Sequence, residues 1–405
     1  MPKNYDIIIV STSRWDDTFS SVAFSWAKEF AKHNRVFLID HPYSLKEFLT
    51  EYSKGNKVKS RKSALLYGKD IYKKIEGLPA NLTVVTPRLT FPINWLGEGA
   101  LYNSLSKVNE KILYSTLRQV VKDNNVKEYI FINSYDPFFL RDIPKDVKAK
   151  LTVYQTIDDI SQETYIARHG IRLEKEAMKN ADITLATSKE LTRIASQYAN
   201  QVYCVPNAAD FTLFQKAVTE KLNRPKELVG VTQKVICYTG NISIRLNYDL
   251  LRKVAQFHTD KLLLMVGPTN NDDYKKAGLD KLPNVLFTGS RDITELPSYL
   301  QHSDCVIIPF EYSILTKSIY PLKINEYLTA GKPVVATAFS EDIKDFSDVA
   351  YIAQTEDDFI ASIDQAINEN DPERIEARIK KAEANSWQAR VARFWEIVDS
   401  NLVLN

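Results

Sequence analysis

The stretch YPLKINEYLTAGKPVVAT, Tyr320 to Thr337, decides the fold. It reads as a short helix, stopped by Gly331, that runs straight into a buried strand. Pro321 suits the first helical position, because its missing N–H is unpaired there anyway. Gly331 suits the left-handed residue that ends a helix. At about 100° per residue, Ile324, Tyr327 and Leu328 share one face, and Lys323 and Glu326 share nearly the opposite one. Lys323 lies in the first turn, where the helix dipole disfavours a cation unless an anion binds beside it. Backbone N–H groups near Ser318, Ile319 and Tyr320 would meet the same anion. Glu326, one turn on, carries two acceptor oxygens that match a vicinal diol such as a ribose. An exposed i,i+3 ion pair, worth about a few tenths of a kcal/mol, explains the two residues equally well. Periodicity leaves both readings open.

Outward from this unit, short β-rich runs alternate with helical patterns along most of the chain. Strands are expected at DIIIVST (Asp6 to Thr12), RVFLID (Arg35 to Asp40), LTVVTP (Leu82 to Pro87), YIFINS (Tyr129 to Ser134), LTVYQTID (Leu151 to Asp158), ITLATS (Ile183 to Ser188) and VYCVPN (Val202 to Asn207). An irregular polar patch follows, from about Ala208 to Thr232. The alternation restarts with KVICYTG (Lys234 to Gly240), KLLLMVG (Lys261 to Gly267), NVLFTG (Asn284 to Gly289), CVIIPF (Cys305 to Phe310) and PVVAT (Pro333 to Thr337). Near-continuous apolar strands separated by helices mean parallel sheets covered on both faces. The expected architecture is α/β, with two Rossmann-like doubly wound domains facing a central cleft. Ligands are then expected at the carboxyl ends of the strands.

The 405 residues, with 44% hydrophobic and 26% charged, fit a two-domain globular chain rather than a disordered one. A formal net charge of +2 gives no global nucleic-acid footprint, so no nucleic-acid partner is expected. Cys204, Cys237 and Cys305 stand far apart without metal-ligand spacing, and no role is assigned to the five histidines. Neither a metal nor another cofactor is expected. The sequence shows no signal-peptide pattern and no run of eighteen apolar residues, so a cytoplasmic protein is expected.

Residues 54–74, KGNKVKSRKSALLYGKDIYKK, carry eight basic residues and one acidic one. Two readings stand: a peripheral contact with an anionic membrane surface, or a solvated helix or loop. After the first strand, STSRWDD places Trp15 where its ring could stack on a sugar, and Asp16 and Asp17 where they bind hydroxyls or cap a helix. QTIDDIS places Asp158 and Asp159 at the carboxyl end of another strand. There a carboxylate accepts a hydroxyl proton or caps the next helix. Gly240 and Asn241 follow the first strand of the second half, with Arg245 close by as a diphosphate contact or a solvated arginine. Thr316 and Ser318 precede the Tyr320 helix as phosphate contacts or simple caps.

The helix of the opening stretch resembles the nucleotide-sugar-binding helix of GT-B glycosyltransferases, where a glutamate sits just before GKPVVA. Further stretches resemble the family in order: WDDTFSSVAFSWAKEFAKHNRVFLIDHP, EKEAMKNADITLATSKEL, VPNAADFTLF, YTGNISIRLNYDLL and NVLFTGSRDITELPSYLQHSDCVIIPF. They cover nearly the whole chain and look like bacterial polysaccharide glycosyltransferases of the teichuronic-acid and exopolysaccharide type. The chain departs from the common retaining pattern at Ser318, where the first of two glutamates is usual. Asn241 and Leu246 likewise stand where an Arg and a Lys are usual, and Asp158 stands for a histidine.

The resemblance implies three parts. Residues 1–207 are an acceptor-binding domain and 208–384 a nucleotide-sugar-binding domain. The segment 385–405, with Trp387, Val391, Phe394, Trp395 and Val398 at helical spacing, crosses back to the first domain. It implies sugar transfer from a UDP-, GDP- or dTDP-linked donor to a hydroxyl of a glycan or lipid-linked acceptor in cell-surface polysaccharide synthesis, without a metal. Glu326 then orients the ribose, and Lys323, Arg245 and the Ser318 to Tyr320 segment stabilise the departing diphosphate. With inversion Asp158 is the base; with retention it positions the acceptor. Two alternatives remain: a nucleotide-sugar 2-epimerase of the same fold, and a non-catalytic nucleotide-binding subunit of a glycan assembly complex.

Overall fold

A computed structural model of the chain describes residues 5–17, 21–53, 55–162 and 164–404. The chain forms two units, Met1–Val205 with Val391–Asn405, and Pro206–Arg390. Each is built on a sheet whose strands come from the apolar runs of the sequence.

The first sheet has eight strands: β1 (Asp6–Ser11), β2 (Val36–Ile39), β3 (Tyr72–Lys73), β4 (Leu82–Val85), β5 (Tyr129–Ser134), β6 (Leu151–Thr156), β7 (Ile183–Ala186) and β8 (Val202–Cys204), in the order β3-β4-β2-β1-β5-β6-β7-β8. All neighbours run parallel except the edge strand β3, antiparallel to β4. Burial on both faces explains the apolar composition: Ile7, Ile8, Ile9 and Val10 of the central strand are all fully buried. Each such side chain contributes about 1.5–3 kcal/mol when removed from water. The chain adds β2 and β4 on one flank of β1, then places β5 on the other. This reversal leaves a crevice at the carboxyl ends of β1 and β5.

The second sheet repeats the plan with β9 (Val235–Thr239), β10 (Leu262–Val266), β11 (Val285–Gly289), β12 (Cys305–Ile308), β13 (Val334–Thr337) and β14 (Tyr351–Ala353), all parallel in the order β11-β10-β9-β12-β13-β14. Its reversal lies between β9 and β12.

Three details differ from expectation. Strands β3 and β14 are additional; each is two or three residues long, too short for a period-2 pattern to register. The supposedly irregular patch contains a helix, Phe211–Thr219, capped by the Asp210 carboxylate and anchored by buried Phe214 and Ala217. Pro321 sits one position before the helix Leu322–Thr329, as its N-cap.

The C-terminal helix Trp387–Leu404 inserts its aromatics into the first unit. Phe394 packs 4.9 Å from Phe30 and 5.8 Å from Trp26, and Trp395 stacks on Tyr5 at 6.5 Å. No helix among the described residues is long and apolar enough to cross a membrane.

Candidate functional site

In the second unit the crevice between β9 and β12 is closed by the helix Leu322–Thr329. Tyr327, fully buried, fixes this helix against the sheet: its hydroxyl accepts the Thr239 N–H at 2.9 Å, at the last residue of β9. Asn325, which sequence reasoning passed over, donates to the Tyr320 hydroxyl at 3.1 Å and anchors the helix start. Lys323 and Glu326 are thereby held at the carboxyl edge of the sheet.

The pair is not the exposed ion pair of the bland reading. Glu326 is only 9% exposed, and the helix is buried nearly all round. Among the described residues the two side chains form neither a hydrogen bond nor an ion pair with any residue, nor does the Arg245 side chain. Burial pushes the Lys323 ammonium below the ordinary lysine range, assisted by the Arg245 charge and opposed by Glu326. Burial likewise pushes Glu326 above the carboxylate range, opposed by Lys323. Lys323 Nζ lies 5.6 Å from the centre of the Tyr238 ring, a weak cation–π contact.

Gly240 explains how the lysine fits. Its φ is 129°, and a Cβ there would overlap Cε and Nζ of Lys323. The ammonium therefore lies directly against the backbone at the end of β9. Gly267, at the end of β10, has φ 148° and touches the Gly240 carbonyl in turn: a Cβ on Gly267 would overlap that oxygen. Asn241 is exposed, and its carbonyl accepts the Tyr238 hydroxyl at 3.0 Å.

Four neighbouring candidates make local contacts. The Thr316 hydroxyl is turned into its own capping box with Ser313 and donates to the Glu311 carbonyl. The Ser318 hydroxyl donates to Leu315 O at 2.9 Å. The Ile319 N–H closes onto Thr316 O at 3.1 Å, and the side chains of Ile319 and Tyr320 are buried. The Thr316 and Ser318 hydroxyls are thus engaged in their own turn, while the side chains of Lys323, Glu326 and Arg245 make no hydrogen bond or ion pair with a described residue.

The first unit gathers the other candidates at the carboxyl edge of its sheet. The Trp15 backbone N–H donates to Asp40 Oδ1 at 3.0 Å, and Lys73 Nζ lies 4.8 Å from the centre of the Trp15 ring. Asp16 is held by Arg61 at 3.0 Å and Lys57 at 3.5 Å, and Asp17 accepts the Arg14 N–H at 2.7 Å. Asp16 and Asp17 thus both have partners within their own unit. Burial raises Asp40 to about 7. Asp158 is half-buried two residues beyond β6, and Asp159 caps the next turn through Ser161 N at 3.0 Å.

Glu174 lies behind this edge, accepting from the Thr156 hydroxyl at 2.9 Å, and burial raises it to about 7. A carboxyl raised on folding stabilises the fold below its unfolded pKa, and that contribution is lost as pH rises through the folded value. Glu174→Gln keeps an acceptor for Thr156. Its stability relative to wild type should rise by about 2–3 kcal/mol between pH 4 and 8, measured by urea unfolding across that range. A flat difference would show that Glu174 is ionised in the fold.

Residues 233–369 match the family described as Glycosyl transferases group 1. A curated relative, the putative teichuronic acid biosynthesis glycosyltransferase TuaH of Bacillus subtilis (strain 168), is 30% identical over 204 residues, 49% of this chain and 51% of that protein. The match thus spans about half the length of that relative. Among solved structures, sucrose-phosphate synthase from Thermosynechococcus elongatus superposes with a TM-score of 0.64 at 12% identity, covering 99% of this chain and 100% of that one. An α,α-trehalose-phosphate synthase (UDP-forming) from Burkholderia vietnamiensis gives 0.68 at 10% identity, covering 99% and 98%. An Escherichia coli structure bound with UDP-2-fluoro glucose gives 0.66 at 12% identity, covering 98% and 99%. These likenesses are of fold: the two parallel-sheet units are those of GT-B proteins.

Proposed function

From a chain that carries a Glycosyl transferases group 1 domain over residues 233–369 on a GT-B fold, we propose that it transfers a sugar from a nucleotide-sugar donor to a hydroxyl of a glycan or lipid-linked glycan. The observation that carries this reading is the charge group at the β9–β12 crevice: buried Glu326 with half-buried Lys323 and Arg245, none of them in an ion pair with a described residue. Desolvating an ion such as Glu326 costs about several kcal/mol unless something compensates it. A nucleoside diphosphate supplies what the site lacks. Its phosphates meet Lys323 and Arg245, and its ribose diol donates to Glu326. In the transfer step, negative charge grows on the departing diphosphate, and the two cations stabilise it in a desolvated setting. Gly240 and the backbone at Asn241 line the same edge.

The acceptor belongs to the first unit, where Trp15 offers an aromatic face and Asp158 a hydroxyl-positioning carboxylate. The TuaH relative supports a role in cell-wall polysaccharide synthesis. Isothermal titration of the protein with UDP, GDP and dTDP, then with the corresponding sugar nucleotides, tests the donor half. At least one diphosphate should bind at micromolar affinity, and the absence of binding by all three would sink the reading.

The basic segment contributes a second contact. The short helices Asn56–Ser60 and Lys62–Tyr67 pack with Leu45–Glu51 around Tyr43, Val58 and Leu65, leaving Leu45, Leu49 and Tyr67 exposed beside Lys46, Lys59 and Lys62. Exposed apolar side chains among lysines suit an anionic membrane surface, at about 1 kcal/mol per basic residue. Co-sedimentation with phosphatidylglycerol vesicles should fall steeply from low to physiological salt. Equal binding to neutral phosphatidylcholine vesicles would refute the electrostatic contact.

A further inference from the structure

Residues 86–99, TPRLTFPINWLGEG, leave the carboxyl end of β4 and lead into the helix Ala100–Asp123. This segment presents apolar side chains that the core does not take up. Phe91 is 46% exposed, Trp95 70%, and Leu101, at the start of the helix, 63%. Trp95 is the one exposed tryptophan of five: Trp26 and Trp395 are buried, and Trp15 and Trp387 are half-buried. Its indole N–H donates to the Pro92 carbonyl at 2.8 Å, inside its own loop. The ring therefore carries no free donor, and it enters an apolar medium without the cost of an unpaired N–H.

The loop that presents these side chains is tied down. The Phe91 N–H donates to Asn109 Oδ1 at 2.8 Å, its carbonyl accepts Asn109 Nδ2 at 3.0 Å, and Asn109 itself is buried. The Trp95 carbonyl accepts Arg168 Nη1 at 2.6 Å. The Leu96 carbonyl lies 2.9 Å from Nε2 of buried His169, whose ring stacks on Tyr102 at 3.7 Å. Between these ties Ile93 is buried in the core of the first unit. Just upstream, the chain is zipped to the basic segment and the helix before it. The Thr90 N–H donates to Tyr43 O at 3.0 Å, the Leu45 N–H to Thr90 O at 2.9 Å, and the Leu89 N–H to Leu65 O at 3.1 Å. Exposed Leu45 and exposed Phe91 thus leave the same backbone pairing. Lys46 and Arg88 are exposed on its two strands, and Lys107 and Lys111 are exposed on the helix Ala100–Asp123. The only acid within residues 86–99, Glu98, faces Arg172 at 3.8 Å.

We propose that Phe91, Trp95 and Leu101 form an anchor that inserts into the interfacial layer of an anionic bilayer. This rests on the membrane contact of the basic segment and adds a contact of a different kind. The lysines feel the surface charge across about one Debye length, ~8 Å at physiological salt. The loop then exchanges water for the boundary between headgroups and acyl chains, the layer in which tryptophan is favoured. Charge selects this occupant. Lys46, Arg88, Lys107 and Lys111 match anionic headgroups, whereas the cores of protein interfaces are depleted of lysine. A second copy of the chain, meeting this face with its own, would set lysine against lysine. The loop leaves the same edge of the first sheet that carries Trp15 and Asp158. Insertion holds that edge at the headgroups, within reach of a lipid-linked glycan.

Vesicles of equal parts phosphatidylglycerol and phosphatidylcholine, at low salt, test the anchor. A variant combining Phe91→Ser, Trp95→Ser and Leu101→Ser should partition onto them at least about tenfold more weakly than wild type. Its unfolding midpoint should stay at the wild-type value, since all three side chains face solvent. Trp95→Phe supplies a reading that does not depend on the folding of the triple variant. It should bind the vesicles as wild type does. With brominated acyl chains in the phosphatidylcholine, wild-type tryptophan fluorescence should be quenched on binding, and Trp95→Phe should lose most of that quenching. A bound wild type whose tryptophan is not quenched, or a folded triple variant that partitions like wild type, would overturn the anchor and leave the electrostatic contact standing. A wild type that binds no phosphatidylglycerol vesicle at low salt overturns both contacts. A wild type that sediments as a dimer without lipid, and as a monomer in the triple variant, would give this face to a second copy and overturn the proposal.

Discussion

Lys323→Met should weaken nucleoside diphosphate binding by about a thousandfold while shifting the unfolding midpoint little. Removing one member of a desolvated charge contact costs about 2–5 kcal/mol of affinity. Methionine fills the same space against Gly240 and Tyr238 without an ion to desolvate. Stability should hold because the lysine makes no hydrogen bond or ion pair to a described residue, so the fold loses packing of similar shape and one buried charge. Burial lowers the Lys323 pKa. The unfolded chain therefore binds the extra proton over the window between the folded value and the ordinary lysine value, and wild-type stability rises with pH there. Phosphate binding favours the ammonium, so affinity should decline as pH climbs through the folded value. Titration calorimetry with UDP, GDP and dTDP from pH 7 to 10 reads both effects. A variant that binds the wild type's preferred diphosphate as tightly as wild type would remove Lys323 from the site. Glu326→Ala should also weaken binding, through the ribose hydroxyls.

Gly267→Ala should cost about 4 kcal/mol of stability, read as a lower urea midpoint at an unchanged slope. Two costs combine: a left-handed φ that an alanine adopts only under strain, and an overlap with backbone that cannot rotate away. The obstacle is the Gly240 carbonyl oxygen, part of the edge at β9. Gly240→Ala forms the contrasting case. Its Cβ meets the flexible end of Lys323, so the fold should survive better while nucleotide affinity falls with the displaced ammonium. Equal stability losses at the two glycines would show that the strand ends do not touch as described.

The strands that carry both units were legible because parallel strands buried on both faces are written as unbroken apolar runs, as in Ile7 to Val10 and Cys305 to Ile308. What periodicity left open was burial around the helix Leu322–Thr329. Placing Lys323 and Glu326 on the polar face was correct as geometry. That face turns out to be covered by the ends of strands remote in sequence, which no local pattern encodes. The Thr316 and Ser318 hydroxyls take local partners for a local reason: hydroxyls beside a helix end find backbone acceptors within their own turn. The partners of Asp16 are distant ones, because Arg61 and Lys57 reach it from another segment.

The terminal helix has a consequence for how the protein is made. Phe394 and Trp395 complete the packing around Trp26 and Phe30, yet they are synthesised after the whole of Pro206–Arg390. Pro206–Arg390 is continuous in sequence. It has its whole complement of strands in hand while the first unit still waits for its closing residues. Synthesis therefore delivers the two halves in the reverse of their order along the chain. A polypeptide terminated shortly before Val391 would hold a finished second half beside a first half with an open aromatic seam, a natural mark for quality-control proteases.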